Sequence, residues 1–139
     1  MSLSDVTYTY HHMGIPTNTP QANEKYSSSY KMFTTKGDNP FRVQWHRFEE
    51  GCPLHPLIQT VPHVAFKVNS IDLAIIGRTV LLEPYYPFSG FRVAMVEIDG
   101  APVEFIETDL REECQTACKI DPPSASKTDP PRPFKLNSI

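Results

Sequence analysis

The alternation of apolar and polar residues is clearest at positions 61–68, where Val64, Phe66 and Val68 share one face of an expected strand. His63, Ala65 and Lys67 take the other face, so a histidine opens the polar side. Residues 5–15 repeat the design: Tyr8, Tyr10 and His12 fall on one face, and Met13 and Ile15 oppose His12 and Gly14. Pro16 and the turn-forming Thr17-Asn18-Thr19-Pro20 end this strand, and a short helix is predicted over 21–26 after Pro20. Strands follow at 30–35 and 41–48, with a turn at 36–40 between them. In the second of these, Val43 and Trp45 alternate with Arg42, Gln44 and His46.

A Pro/Gly-rich connector at 49–56 separates this half from the next. Asn69 or Ser70 can cap a helix over 71–76, and Gly77 suits its C-terminus. Strands at 80–82, 91–98 and 103–108 follow, with turns at Gly90 and Asp99-Gly100. The second half therefore reads β-α-β-β-β, and the first reads as a trimmed copy of it. A helix is expected over 109–119, then an extended tail holding Pro122, Pro123, Pro130, Pro131 and Pro133.

A chain of 139 residues with 40% hydrophobic content supports one core, so residues 1–108 are expected to form one domain and 109–139 an appendage. The net charge of −3 excludes nucleic acid and anionic membranes as bulk electrostatic partners. No apolar run approaches the roughly 20 residues of a membrane-spanning helix, and no secretory leader is expected. Residues 1–3 are set aside from the functional reading. Cys52, Cys114 and Cys118 cannot all pair within one chain, which suits free thiols in a reducing cytoplasm. Cys114 and Cys118 would lie a helical turn apart, and two surface thiols describe them better than half of a metal site. The tail is expected to pack on its own domain or on a neighbour, as in a homodimer.

Each half also carries a late polar residue on a strand, Gln44 in Val43-Gln44-Trp45-His46 and Glu104 in Val103-Glu104-Phe105-Ile106. With the motifs His12-Met13-Gly14-Ile15, Val61-Pro62-His63-Val64-Ala65-Phe66 and Asp99-Gly100-Ala101-Pro102-Val103-Glu104-Phe105, residues 8–108 resemble the vicinal oxygen chelate superfamily of glyoxalases, bleomycin-resistance proteins and extradiol dioxygenases. The resemblance implies an α+β fold in which two β-α-β-β-β modules, about 5–50 and 60–108, pair into a curved sheet around a divalent metal. It implies His12, Gln44, His63 and Glu104 as the ligands, and His46 rivals Gln44 on the same strand face. Two imidazoles, a carboxylate and an amide oxygen suit Zn, Ni, Co, Mn or Fe and leave positions open for a small-molecule substrate.

The ligand pattern is similar to that of methylmalonyl-CoA epimerases. Those enzymes use a second carboxylate from the first module, and here the stretch 25–41 offers only Asp38, in a turn. The expected activity is that of a metal-dependent isomerase or lyase in which Glu104 both binds the ion and moves a proton. The alternatives are an Fe(II) extradiol-type dioxygenase and a non-catalytic ligand-binding protein of the bleomycin-resistance kind. Arg42 and Arg92 are candidates to hold a substrate carboxylate, and Tyr85, in an aromatic loop over 85–90, is a candidate pocket wall. His11 is expected to point away from His12, and His55 to be solvated.

Overall fold

A computed structural model describes residues 5–111. The described chain runs β1 (Tyr8–Pro16), β2 (Lys25–Ser27), β3 (Met32–Thr34), β4 (Val43–Phe48), α1 (Pro56–Thr60), β5 (His63–Val68), α2 (Ile71–Ala74), β6 (Thr79–Phe88), β7 (Phe91–Ile98) and β8 (Ala101–Thr108). The eight strands form one curled sheet in the order β2-β3-β4-β1-β5-β8-β7-β6. β1 and β5 pair antiparallel at its centre. On either side the order is the same, first strand beside fourth, then third, then second, and both first-to-fourth pairings are parallel. Mostly strands with two short helices, the fold agrees with the expected α+β class and curved sheet.

The sheet has two differently used faces. On one, α2 lays Ile71 and Ala74 over Val68, Ala94, Val96 and Phe105, and Val6 completes the cluster. Ser70 caps this helix by accepting a hydrogen bond from the Leu73 amide at 3.2 Å. On the opposite face, Ala65, Phe91, Val93 and Ile106 form a second buried cluster, against which Tyr85, Phe88 and Leu110 pack.

A β-bulge in β1 changes the face assignment made from alternation. Tyr10 is opposite Phe66 and His12 is opposite Ala65, so two steps along β1 match one along β5 and His11 is the extra residue. Paired residues share a face. Tyr8 and Tyr10 therefore lie on the helix face while His12, Gly14 and Pro16 lie on the other, and the expectation that Tyr8, Tyr10 and His12 share a face is corrected. His11 is buried as well, with its ring 6.1 Å from that of Phe91.

Other elements differ at their ends. No helix forms over 21–26; Asn23 adopts a positive φ of 65°, Glu24 accepts from the Gln21 amide at 2.9 Å, and Lys25 begins β2. The 49–56 connector runs into α1, where Pro56 stands in the first turn and His55 Nδ1 accepts from the Leu57 amide at 3.0 Å. α2 stops at Ala74 rather than 76. β6 extends through Tyr85 to Phe88, so the expected aromatic loop is mostly strand. It tolerates Pro84 and Pro87 because it is the sheet's last strand, where missing N–H donors leave no ladder partner orphaned, and its pairing with β7 slips three times. Cys52 is a free thiol that burial pushes above its ordinary pKa. Residues 109–111 are not helical, and the rest of the expected 109–119 helix, the Pro-rich tail, Cys114 and Cys118 lie outside the described residues.

Candidate metal centre

Three neighbouring strands bring His12, His63 and Glu104 together on the face away from α2. In register, His12 of β1 and Glu104 of β8 both lie opposite Ala65 of β5. Because Ala65 projects only a methyl group, the two longer side chains close over it, and His12 Nε2 stands 3.2 Å from Glu104 Oε1. His63 enters from the same face two residues earlier on β5, with its Nε2 3.1 Å from the same oxygen. The donor atoms of the three residues all lie within 4.8 Å of one another.

Gly14 makes room for this arrangement. It is paired with both His63 and Gln44, and a Cβ there would sit 2.2 Å from His63 Cε1 and 2.7 Å from His46 Nε2. Two imidazoles occupy the space that any other residue would fill. The rings of His46 and His63 stack at 5.4 Å with an interplanar angle of 24°. His46 Nδ1 is in turn 3.1 Å from Thr34 Oγ1, which fixes the ring's orientation. In β4 the polar residues Gln44 and His46 are the buried ones, and Trp45 faces out.

Further partners set the direction of His12. Its Nδ1 lies 2.9 Å from Nδ1 of His11, so one of the two rings donates and Nε2 is left to face Glu104. Arg42 closes on the bulge: its Nε donates to the His11 carbonyl and its NH2 group is 3.5 Å from His11 Nε2. Burial acts to raise the pKa of Glu104, but the imidazoles of His12 and His63 outweigh it and hold the carboxyl well below its ordinary range. Tyr85, whose ring meets that of Tyr30 at 5.9 Å, is shifted the other way. Burial first, then Tyr30 and the charge of Glu104, raise its hydroxyl well above the ordinary value, so it stays protonated.

The donor set fits a divalent ion on three counts. Donors about 2.0–2.2 Å from one ion at tetrahedral or octahedral angles stand roughly 3–3.5 Å apart, and the His12–Glu104 and His63–Glu104 separations are 3.2 and 3.1 Å. Imidazole nitrogens with a carboxylate form a mixed N/O set that such ions accept. Finally, the Gln44 side-chain oxygen, across Gly14 from His63, is buried without a hydrogen-bond partner among the described residues, which marks this interior as built for polar contact. His12, His63 and Glu104 would be its ligands.

Of the sequence-derived candidates, His12, His63 and Glu104 converge. Gln44 lies beside them across Gly14, its Nε2 turned 3.5 Å from the Lys36 carbonyl, and His46 lies against His63. Tyr85 is within electrostatic reach of Glu104. Arg42 is spent on the bulge, and Arg92 is on the helix face, 3.0 Å from Asp72 and 3.6 Å from Glu107. Arg92 also lines a cavity of about 720 Å³ with Thr7, Thr9, Lys67 and Tyr86, which none of the four ligand candidates borders. Sequence reasoning missed His11, Thr34 and Tyr30 as neighbours of the site; the His11-His12 doublet was the one available signal, because a bulge can turn adjacent side chains to the same interior.

No helix among the described residues is long and apolar enough to cross a membrane. No protein-family model matches the sequence, and no curated protein sequence matches it. The fold is similar to the crystal structure of a hypothetical protein from Bacillus halodurans C-125, with 16% sequence identity, a TM-score of 0.50, and coverage of 77% of this chain and 97% of that one. At that identity the likeness speaks to fold alone: an eight-stranded curled sheet, compatible with a vicinal oxygen chelate architecture, carrying a cluster of His12, His63 and Glu104 that could bind a metal ion.

Proposed function

We propose that this protein is a metal-dependent enzyme of the vicinal oxygen chelate kind, an isomerase or lyase acting on a small substrate with neighbouring oxygen atoms. The observation that carries the reading is the convergence of His12, His63 and Glu104 within 4.8 Å on the face away from α2. The register supports two related modules. Ala65, two residues after His63, pairs with Glu104; Gly14, two residues after His12, pairs with Gln44. Gln44 is thus the first-half counterpart of Glu104, and the trimmed half is the one without a helix between its first and second strands.

A bound divalent ion would supply Lewis acidity toward a substrate carbonyl. The chain's own groups set the rest. His12 and His63 present nitrogens whose directions are fixed by His11 and by the packing over Gly14. Glu104 stands ionised between the two imidazoles, the group of the cluster placed to take a proton from a substrate, and the buried Tyr85 hydroxyl stays protonated nearby. Phe91, Val93 and Ile106 make the adjoining surface apolar and limit water.

One observation favours a second reading. The compact cluster is two histidines and a carboxylate, with Gln44 turned toward Lys36, and that three-ligand set suits Fe(II) oxygenases. Protein loaded anaerobically with Zn, Co, Ni, Mn or Fe separates the two. Exchange of a proton next to a carbonyl in deuterated buffer supports the isomerase or lyase, and oxygen uptake with catechols supports the dioxygenase. Ligand binding with neither activity under any metal would leave a sequestering protein and sink both enzymatic readings.

A further inference from the structure

The two halves of the sheet are finished differently on the helix face. In the second half, α2 covers Ala94, Val96 and Phe105. In the first half no helix intervenes between β1 and β2, and among the described residues none covers the equivalent surface of β1 and β4. Tyr8, Tyr10, Met13 and Trp45 are exposed there, and Phe41 beside them is 73% exposed. Met13 pairs with Val43 and Ile15 with Trp45, so these side chains form one continuous strip over adjacent strands. The Tyr10 hydroxyl donates to the Phe41 carbonyl at 2.7 Å, which ties the two aromatic residues together. The charge on this face, Arg47 two residues beyond Trp45, is already paired with Glu24 over the Phe33 ring, so the strip itself is aromatic and apolar and has the composition of a recognition surface.

The chain itself contains a segment suited to it. Residues 112–139 follow the described fold and include Pro122, Pro123, Pro130, Pro131 and Pro133. Proline-rich stretches bind aromatic strips because pyrrolidine rings lie flat on tyrosine and tryptophan, and their restricted backbone loses little entropy on docking. Reach is sufficient: the 11 residues from Arg111 to Pro122 can span up to about 36–40 Å, against a diameter of roughly 34 Å for a compact domain of about 110 residues.

We propose that the bare aromatic face of the first half is the docking site of the chain's own proline-rich segment, Pro122 to Pro133, which takes the place of the helix that the second half supplies locally. Trp45 is the only tryptophan, so its emission reports on the strip. In the full-length chain Trp45 should resist acrylamide quenching. In full-length Pro130→Ser/Pro131→Ser/Pro133→Ser protein its emission should shift to the red and quenching should increase, while metal content and far-UV circular dichroism stay as in wild type. A synthetic peptide of residues 120–139 should reverse the change. Equal quenching of the two proteins overturns the proposal. So does protection that vanishes on dilution together with a halved light-scattering mass, because a second copy would then cover the face. If the triple variant does not fold, a photo-crosslinker in place of Phe41 decides in the otherwise native chain: crosslinks to 122–133 within a monomer support the proposal, and their absence overturns it.

Discussion

Gly14→Ala is the sharpest single perturbation of the site, because it adds one carbon where two imidazoles already stand. The new Cβ would lie 2.2 Å from His63 Cε1 and 2.7 Å from both His63 Nδ1 and His46 Nε2. In an unobstructed strand, replacing glycine by alanine stabilises by about 0.4–1 kcal/mol through the unfolded state. Overpacking of a filled interior costs about 1–3 kcal/mol, so the net expectation is a destabilisation of roughly 1–2 kcal/mol. His63 is the ring in closest contact and must swing off Glu104, which removes one of the close nitrogen–oxygen approaches of the cluster. Zn²⁺ affinity, measured by competition with a chromophoric chelator, should fall at least about tenfold, the size of effect seen when the supports of metal ligands are disturbed. Gly77→Ala is the control: Gly77 has a φ of +76° with nothing within 4 Å of an added Cβ, so backbone strain alone should lower stability and leave metal affinity unchanged. Wild-type zinc affinity in Gly14→Ala would refute the reasoning, since His63 could not then be held where the structure has it.

The pairing of Glu24 with Arg47 makes stability depend on acid. The hydrogen bond from Arg47 lowers the Glu24 pKa below its ordinary value, so the contribution is present above the unfolded carboxyl pKa of about 4.3 and is lost as pH falls through the folded one. Urea unfolding should therefore show wild type more stable than Glu24→Gln at pH 7, with the gap closing toward pH 3; a gap that persists in acid would contradict the assignment. Ser70→Ala removes the cap of α2 and should cost about 1 kcal/mol in thermal or urea unfolding without altering metal content. Arg92→Ala breaks a pair whose Asp72 partner is largely exposed, so stability should change by less than about 1 kcal/mol and metal binding not at all. A marked loss of metal from Arg92→Ala would place that residue in the site against its position on the helix face.

What could be read from the sequence and what could not divide along physical lines. β5 could be placed from its alternation, whereas β7 and β8, which bury residues on both faces, could be placed from apolar runs bounded by the Gly90 and Asp99-Gly100 turns, and the Ser70 cap followed from its residue type. In β1 and β4 alternation was legible but its meaning was not. The bulge at His11 adds a residue and reverses parity, so Tyr10 and His12 part company, and nothing in local composition announces it. In β4 the polar side chains Gln44 and His46 are the buried ones, the reverse of the usual rule, because that face serves the site. β6 looked like a short strand and a loop because proline argues against strands; its place at the edge of the sheet, invisible in one dimension, permits Pro84 and Pro87. The three converging residues were found through the repeat of histidine and a late polar residue. The roles of Arg42 and Arg92 depended on which loop and which face they occupy, and spacing does not supply that.

The central claim is that His12, His63 and Glu104 hold a divalent ion. Elemental analysis of full-length protein after loading with Zn²⁺ and removal of free metal, run beside Glu104→Gln and His63→Ala, tests it directly. The account predicts stoichiometric metal in wild type and loss from both variants, each still folded by circular dichroism. Wild type without bound metal, or variants that retain as much as wild type, would contradict it.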